Sequence, residues 1–283
     1  MIDRSAARRH FSRAAVTYPG ASRLEAEIGT RLIERLDYVK LAPQRVLDLG
    51  CGPARETRAL AARYAAAQLV LLDFALPMLR DARPARGLLQ RLGGGRAPLA
   101  VCGDFEQLPF AGASLGLVYS NMALHWARQP LVALRELHRV LAVGGLLTFS
   151  TLGPDTLKEL RAAAGASRVH AFHDMHDVGD MLLAAGFAAP VMDMETVSLL
   201  YADARALLAD LRASGQTCAL ESRRRSLSGK AFAAALRAGL ERQQQPSGLA
   251  VTFEVVYGHA WKAAPARTPD GHAVVQFRRG AAP

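Results

Sequence analysis

The stretch that decides the fold is Val46-Leu47-Asp48-Leu49-Gly50-Cys51-Gly52-Pro53-Ala54. Its apolar first half is typical of a buried strand, and its two glycines let the backbone turn tightly beneath a ligand. A dinucleotide-binding loop would have a third glycine at position 55, where this chain has arginine. Asp48 would also repel a pyrophosphate, whereas it suits the amino group of a methionine moiety. The stretch therefore favours a methionine-bearing cofactor over NAD.

Strands and helices alternate on both sides of this stretch. The sequence predicts strands at residues 45–49, 68–73, 99–102, 115–120, 145–150, 191–201 and 251–261. Helices are expected after the first two strands, at residues 130–141 and at residues 174–185. Such alternation is typical of a parallel sheet covered by helices on both faces. We expect an α/β, Rossmann-like fold with a mostly parallel seven-stranded sheet.

We divide the chain into four segments within one structural domain. They are an N-terminal helical cover (1–40), a cofactor-binding core (41–200), a helical insertion (201–248), and a final strand with a loose tail (249–283). In the cover, apolar spacing predicts a short and a longer helix over residues 11–38, separated by Pro19 and Gly20. The insertion is expected to hold two helices joined by a turn at residues 223–225, and the tail a minor strand at 274–277.

Composition restricts the classes of protein that this chain can be. Of its 283 residues, 51% are hydrophobic and 21% are charged, as in globular proteins. It has neither a secretory signal at the start nor an apolar run near the roughly 20 residues that span a bilayer. Its three cysteines stand far apart, without the pairing expected of a disulfide framework. We expect a cytoplasmic protein that does not bind membranes.

The net charge of +10 suggests an anionic partner but does not select one. Enzymes that methylate the amino groups of bases usually have Asn/Asp-Pro-Pro-aromatic after strand four. This chain has Ser120-Asn121-Met122-Ala123 there, and it carries no recognised RNA-binding module. We therefore expect no nucleic-acid partner.

Polar residues follow the predicted strands in the order that a nucleoside cofactor requires. Asp73 ends strand two, where a carboxylate can accept hydrogen bonds from ribose hydroxyls. Asp104 and Phe105 follow strand three and suit the amino group and the face of adenine, and Asn121 follows strand four, near the position expected for a sulfonium methyl. The predicted site for S-adenosyl-L-methionine comprises Asp48, Gly50, Cys51, Gly52, Asp73, Phe74, Met78, Asp104, Phe105 and Asn121.

With these residues in place, the segment from about residue 40 to 150 resembles the class I S-adenosylmethionine-dependent methyltransferases. Other stretches resemble one narrower family, the malonyl-[acyl-carrier protein] O-methyltransferases of biotin synthesis. They are residues 11–18 (Phe-Ser-Arg-Ala-Ala-Val-Thr-Tyr), 150–161 (Ser-Thr-Leu-Gly-Pro-Asp-Thr-Leu-Lys-Glu-Leu-Arg), 174–180 (Asp-Met-His-Asp-Val-Gly-Asp), 191–195 (Val-Met-Asp-Met-Glu) and 257–261 (Tyr-Gly-His-Ala-Trp). Together these stretches span most of the chain.

The resemblance implies methylation of the free carboxylate of malonyl-acyl-carrier protein, or of malonyl-coenzyme A, as the first step of pimeloyl synthesis. It implies that Tyr18 and His125 are the catalytic residues, with many family members having glutamine at position 125. It also implies that Arg223, Arg224 and Arg225 meet an acidic carrier protein. Because the carboxylate is already ionised, we expect these residues to position the reactants rather than to remove a proton.

Two other functions stay open. The chain could methylate another small molecule, such as a quinone or lipid precursor, or it could be a non-methylating hydroxylase or assembly factor with the same cofactor fold. The histidines of residues 170–176 resemble metal ligands, but three histidines three residues apart diverge around a helix. We expect no metal, and we expect Asp174 to cap the N-terminus of a helix. The sequence leaves the oligomeric state open.

Overall fold

The computed structural model describes residues 1–82, 96–226 and 228–265. Seven strands lie within these residues. They are β1 (Arg45–Leu49), β2 (Gln68–Asp73), β3 (Leu99–Cys102), β4 (Leu115–Ser120), β5 (Leu141–Leu152), β6 (Ala188–Tyr201) and β7 (Leu249–Trp261). They form one sheet in the order β3-β2-β1-β4-β5-β7-β6.

Ten α-helices lie within the same described ranges. They are α1 (Arg4–Ala14), α2 (Tyr18–Ala21), α3 (Arg23–Arg35), α4 (Thr57–Arg63), α5 (Leu76–Asp81), α6 (Pro130–Val140), α7 (Lys158–Ala164), α8 (Met175–Ala184), α9 (Ala204–Ala213) and α10 (Lys230–Glu241). None of them is long and apolar enough to cross a membrane.

The first five strands are parallel, β7 runs antiparallel to β5, and β6 runs antiparallel to β7. The expected mostly parallel seven-stranded α/β sheet is therefore confirmed. Because β1, β2 and β4 are parallel neighbours, their carboxyl ends meet at one edge of the sheet. That edge brings together the segments that follow Leu49, Asp73 and Ser120.

Two apolar clusters cover the two faces of the sheet. Alternate residues of β1 show this division, since Leu47 and Leu49 belong to one cluster and Val46 to the other. All three side chains are 0% exposed. Burying a leucine or valine completely contributes about 1.5–3 kcal/mol, so the continuous apolar run of β1 anchors the strand on both faces.

The helical cover differs from its prediction. The first helix, α1, begins at Arg4, because the carboxylate of Asp3 accepts the N–H of Ala6 at 3.0 Å and caps the helix. Pro19 and Gly20 lie inside the short helix α2 rather than between two helices. Proline is tolerated there because the first turn of a helix leaves its N–H groups unpaired.

The start of the chain is tied to the segment that follows α9. The N–H of Asp3 donates to the carbonyl of Ala219 at 2.7 Å, and the Thr17 hydroxyl donates to the carbonyl of Ala213 at 2.7 Å. The Asp3 carboxylate also pairs with the Arg223 guanidinium at 2.8 Å. We call these three contacts the latch. They make the helical cover and the insertion one connected cap over the strand ends.

The other boundary predictions also need correction. Strand β5 begins at Leu141 rather than residue 145, and its pairing with β4 shifts register between Leu115 and Leu117. Strand β6 begins at Ala188, three residues before its predicted start. The helices of the insertion are separated by residues 214–229, so residues 223–225 are only part of their connection. The predicted strand at 274–277, with residues 266–283 of the tail, lies outside the described residues.

Candidate active site

The glycine loop follows β1 and is fixed by its neighbours. The N–H groups of Gly50 and Cys51 donate to the carbonyl of Leu72, at 2.8 and 3.1 Å. Gly50 has a φ of +69°, and a Cβ added there would lie 2.3 Å from the Cβ of Ala123. A larger residue is therefore excluded at position 50 both by backbone conformation and by space.

Asp73, at the end of β2, holds the glycine loop. Its carboxylate accepts the N–H of Gly52 at 3.0 Å and that of Ala75 at 2.7 Å. Burial raises the pKa of Asp73 to about 6, although these backbone hydrogen bonds act in the opposite direction. Asp73 thus orders the loop itself, and its role toward a ribose stays a prediction.

Three further carboxylates, Asp48, Glu25 and Glu56, lie beside the glycine loop. Asp48 is 2% exposed, and its Oδ2 has no hydrogen-bond partner among the described residues. Burial raises the pKa of Asp48 well above its usual range, and the charges of Glu56 and Asp73 add to this effect. Burial also raises the pKa of Glu25 to about 7 and raises that of Glu56. Three buried carboxylates and the half-buried carboxylate of Glu56 favour a positively charged ligand.

Glu25, Asp48 and Glu56, but not Asp73, line a cavity of about 20 Å³, which has room for about one water molecule. We call it the acidic cavity. Its lining consists of Tyr18, Ser22, Glu25, Asp48, Gly50, Cys51, Pro53, Arg55, Glu56 and Asn121. The Arg55 guanidinium donates to the carbonyls of Pro19 and Ser22, at 3.1 and 3.2 Å, and so fixes the cover to the glycine loop.

Tyr18 closes the acidic cavity from the cover. A Cβ added at Gly52 would lie 3.7 Å from Cε1 of the Tyr18 ring, so the ring lies against the glycine loop. Burial raises the pKa of Tyr18 well above its usual range, and the charges of Glu25 and Glu56 add to this effect. The phenol therefore stays neutral at physiological pH and can only donate or accept hydrogen bonds.

Asn121 connects the acidic cavity to the sheet. Its Nδ2 donates to the carbonyl of Glu25 at 2.8 Å and to Oε1 of Glu56 at 3.3 Å. Its Oδ1 accepts the hydroxyl of Ser150, on β5, at 2.7 Å. The side chain is therefore fixed at the end of β4, between the cover and the core.

Four other residues predicted to bind the cofactor lie beneath α1. Asp104 forms an ion pair with Arg4, and Phe105 is 9% exposed within the core. Phe74 packs edge to face against Phe11, with ring centroids 5.8 Å apart. Met78 is 1% exposed and belongs to the same small apolar cluster as Phe74. In this closed arrangement the cover packs against these side chains. Their contacts with a cofactor stay predictions.

His125 lies in the wall between two larger cavities. The first, which we call the insertion cavity, has a volume of about 330 Å³ and is lined mainly by apolar residues of α7, α9, α10 and residues 168–172. The second has a volume of about 430 Å³ and reaches Met1, α6 and α8. His125 and Phe172 line both, with their rings edge to face and centroids 5.6 Å apart.

His125 is neutral at physiological pH. Its Nδ1 is buried without a hydrogen-bond partner in the described part of the chain. Burial lowers the pKa of His125 to about 3, and the charge of His170 adds to the effect. His170 accepts the N–H of Ala219 at its Nε2, at 2.8 Å, and burial lowers its pKa to about 4. His125 is thus suited to hydrogen bonding and packing rather than to proton transfer.

The three arginines predicted to meet a partner differ in their surroundings. Arg223 is held by Asp3 and donates to the carbonyl of Leu220 at 2.7 Å. Arg224 and Arg225 are exposed, and Nε of Arg224 donates to the hydroxyl of Ser226 at 2.7 Å. The partner role of all three arginines stays a prediction. Arg224 and Arg225 take no part in the latch.

Sequence reasoning missed Glu25, Glu56 and Arg55 at the acidic cavity. A signal for Glu25 was present, because it precedes Ile28 and Leu32 by three and seven residues on the buried stripe of α3. A carboxylate on such a stripe needs a partner, here the amide of Gln216.

The predicted cap at Asp174 is confirmed, since its carboxylate accepts the N–H of His176 at 2.8 Å. Within the described ranges, no cluster of three potential metal ligands occurs.

Comparisons with known proteins agree with this geometry. Residues 47–149 match the model of a family described as "Methyltransferase domain". A malonyl-[acyl-carrier protein] O-methyltransferase from Methylovorus sp. is 49% identical, over 98% of this chain and 96% of the relative. Another, from Gallionella capsiferriformans, is 47% identical, over 98% of this chain and 97% of the relative.

Among solved structures, the YcgJ protein from Bacillus subtilis shares the fold. The TM-score is 0.59 at 16% sequence identity, over 85% of this chain and all of that one (100%). This similarity supports the class I methyltransferase fold alone, whereas the near-complete coverage of the curated relatives extends through the cover and the insertion. The chain therefore belongs to the malonyl-[acyl-carrier protein] O-methyltransferase family.

Proposed function

We propose that this enzyme transfers the methyl group of S-adenosyl-L-methionine to the free carboxylate of malonyl-[acyl-carrier protein] and so forms a methyl ester, as in the first step of pimeloyl synthesis for biotin. One observation carries the proposal. Gln216 lines the apolar insertion cavity, and its amide donates to Glu25 in the wall of the acidic cavity. A compartment suited to a cationic methyl donor thus shares a wall with one suited to an acyl group.

The residues of the acidic cavity fit this cofactor. Asp48 has a buried carboxylate oxygen that no described residue hydrogen-bonds, and the positive φ of Gly50 and Gly52 lets the backbone approach a ligand closely. Asp48 and Glu56 would face the cofactor's cationic groups, and Asp73 would accept hydrogen bonds from its ribose. When bound, the cofactor supplies an electrophilic methyl group on a positively charged sulfur.

The protein needs no general base for this reaction. A carboxylate next to a thioester is ionised well below pH 7, so its oxygen can attack without losing a proton. His125 supports this view, because a pKa of about 3 leaves it neutral and weakly basic. The enzyme therefore acts by holding the carboxylate against the methyl group and by excluding water, since an apolar enclosure strengthens the attraction between opposite charges.

Tyr18 and His125 are the proposed walls of the reacting space. Tyr18 lies over the glycine loop, and His125 lines the insertion cavity. A volume of about 20 Å³ is far too small for a nucleoside, so the cover must move outward to admit the cofactor. Tyr18 would then close the chamber again over the bound cofactor.

The acyl-carrier partner follows from charge as well as from the relatives. Acyl-carrier proteins are acidic, and this chain has a net charge of +10, with Arg224 and Arg225 exposed on the insertion. If this surface steers the carrier, activity on malonyl-carrier should fall with ionic strength more steeply than activity on malonyl-coenzyme A. Double charge reversal at Arg224 and Arg225 should remove that difference, and parallel salt curves for the unaltered enzyme would argue against such a docking surface.

Mass spectrometry tests the proposed reaction directly. Malonyl-carrier protein incubated with the enzyme and S-adenosylmethionine should gain the mass of one methylene group. Acetyl-carrier protein is the matched control, because it lacks the free carboxylate and should stay unchanged. Methylation of a quinone or lipid precursor without any product on malonyl-carrier would instead support the alternative substrate class.

We also place the reaction in the cytoplasm, in agreement with the three free thiols of Cys51, Cys102 and Cys218.

A further inference from the structure

The insertion cavity is largely apolar but contains two cationic side chains, Arg168 and Arg212. Within residues 1–82, 96–226 and 228–265, neither forms an ion pair with a carboxylate. The second cavity offers a comparison, because its arginine, Arg128, pairs with Glu221 at 3.2 Å. The insertion cavity therefore has positive charge that the described residues leave uncompensated.

Of these two arginines, Arg168 has the more restrained guanidinium. Its Nη1 donates to the hydroxyl of Ser228 at 2.8 Å, and its guanidinium lies 4.1 Å above the centre of the Phe232 ring. Both contacts fix the plane of the guanidinium, and among the described residues only one of its five N–H donors is used. Arg212, in contrast, is exposed, so water can solvate its charge.

A planar, partly buried guanidinium with unused donors in an apolar cavity suits an anion with two oxygens. The neutral partners Ser228 and Phe232 hold the group without neutralising it. If Arg168 served packing alone, a carboxylate or carbonyl would be expected to take its other donors, as Asp3 and Leu220 do for Arg223. The arrangement thus points to an anionic ligand within the cavity.

We infer that Arg168 binds an anionic group of the acyl substrate inside the insertion cavity. This inference rests on the proposed function. Two groups of such a substrate share the required chemistry of negatively charged oxygens, namely the malonyl carboxylate and the phosphate of the pantetheine arm. Bound at Arg168, either group would fix the position of the thioester in the cavity. A carboxylate-binding site there would favour charged acyl groups over neutral ones.

Substrate fragments that carry one charge at a time can test the inference. Dissociation constants would be measured by calorimetry, in the presence of S-adenosylhomocysteine to prevent turnover. The ligands are malonyl-pantetheine, acetyl-phosphopantetheine and the uncharged acetyl-pantetheine. Arg168→Met should weaken binding of one charged ligand by about 10- to 100-fold, as expected for hydrogen bonds to a charged group, and should leave acetyl-pantetheine within about twofold. Arg168→Lys should restore part of the loss.

The matched control is Arg237→Met on α10, which removes one exposed positive charge and should change all three constants equally little. Selective loss for malonyl-pantetheine assigns the carboxylate to Arg168, and selective loss for acetyl-phosphopantetheine assigns the phosphate. Equal loss for all ligands, or no loss, overturns the inference. Thermal unfolding of each variant identifies a loss that comes from misfolding, and Arg168→Lys then serves as the test. Methylation of malonyl-carrier by the unaltered enzyme tests the proposed function separately.

Discussion

The acidic cavity and the insertion cavity are built in opposite ways. The first is small, lies at the ends of adjacent strands, and holds buried carboxylates with raised pKa values. The second is about 330 Å³ in volume, mainly apolar, and is lined mainly by α7, α9, α10 and residues 168–172. The contrast indicates that one compartment provides charge complementarity for a constant cofactor, whereas the other provides shape and a few cationic groups for a particular acyl substrate.

Removing the wall that closes the acidic cavity should have the largest effect. Tyr18→Ala leaves the glycine loop open to water, and we expect kcat/KM to fall by about 100-fold or more, since loss of positioning has effects of that size. Tyr18→Phe keeps the ring and should stay within about tenfold of the unaltered enzyme. Steady-state kinetics with malonyl-carrier measures both. Equal losses in the two variants would show that the hydroxyl, rather than the ring, carries the function.

Asp73→Ala should weaken cofactor binding by about 1.5–3 kcal/mol, the usual range for hydrogen bonds to a charged group. It should also lower thermal stability, because the N–H groups of Gly52 and Ala75 lose their acceptor. Calorimetry with S-adenosylmethionine gives the affinity, and Asp180→Ala, at an exposed position on α8, is the control. Unchanged affinity in a folded Asp73→Ala protein would refute the ribose assignment and leave Asp73 with a role in the loop alone.

Cofactor binding at the acidic cavity should depend on pH. Asp73 and Glu25 have pKa values of about 6 and about 7, so they are largely protonated at pH 5.5 and largely ionised at pH 8. A cation binds the ionised form, and cofactor affinity should therefore rise with pH, by about tenfold between pH 5.5 and 7.5, with release of protons. Calorimetry in buffers of different ionisation enthalpy measures this release. Glu25→Gln should flatten the profile. A flat profile in the unaltered enzyme would contradict the proposal that ionised carboxylates bind the cationic cofactor.

The same carboxylates make the free protein less stable as pH rises. The folded-state pKa of Glu25 lies above its ordinary value of 4.5, so the folded protein binds more protons than the unfolded chain between about pH 4.5 and 7. The free energy of unfolding falls across that window, and the loss is complete at pH 8. Glu25→Gln should therefore raise the melting temperature at pH 8 more than at pH 5. A larger gain at pH 5 would mean that Glu25 is ionised and stabilised when the protein folds.

His125→Gln should have the smallest effect on the pH profile. With a pKa of about 3, His125 does not titrate between pH 6 and 8, so kcat at saturating substrate should lack an inflection from this residue in either protein. We expect kcat to change by only a few fold, because glutamine retains a hydrogen-bonding amide of similar reach. A rise through pH 6 to 8 that disappears in the variant would show that His125 transfers a proton.

The comparison also explains which parts of the site the sequence could predict. Asp48, Gly50 and Asp73 could be identified because an apolar strand followed by a polar end is a local pattern, and parallel strands place such ends together. The fold could be predicted for the same reason, apart from strand and helix boundaries. The resemblance to a family supplied Tyr18 and His125, which no local pattern distinguishes from core residues.

The remaining contacts depend on distant parts of the chain. Gln216 and Glu25 are separated by 191 positions, and Arg168 and Ser228 by 60. No periodicity or spacing encodes such a pair, because its formation depends on how the insertion folds back over the cover. Arg223 illustrates the same limit, since its adjacent arginines suggested one common role, whereas tertiary packing assigns it to Asp3.

The latch has a consequence for the order of catalytic events. It joins the cover of the acidic cavity to residues that follow α9 and flank the insertion cavity, so moving the cover outward also disturbs the wall around an acyl group. An acyl substrate already in place would hold the cover shut and obstruct cofactor entry. We therefore expect a compulsory sequence, with the methyl donor binding first and its demethylated product leaving last. Product-inhibition patterns would reveal this sequence, since S-adenosylhomocysteine should compete with the donor and not with malonyl-carrier.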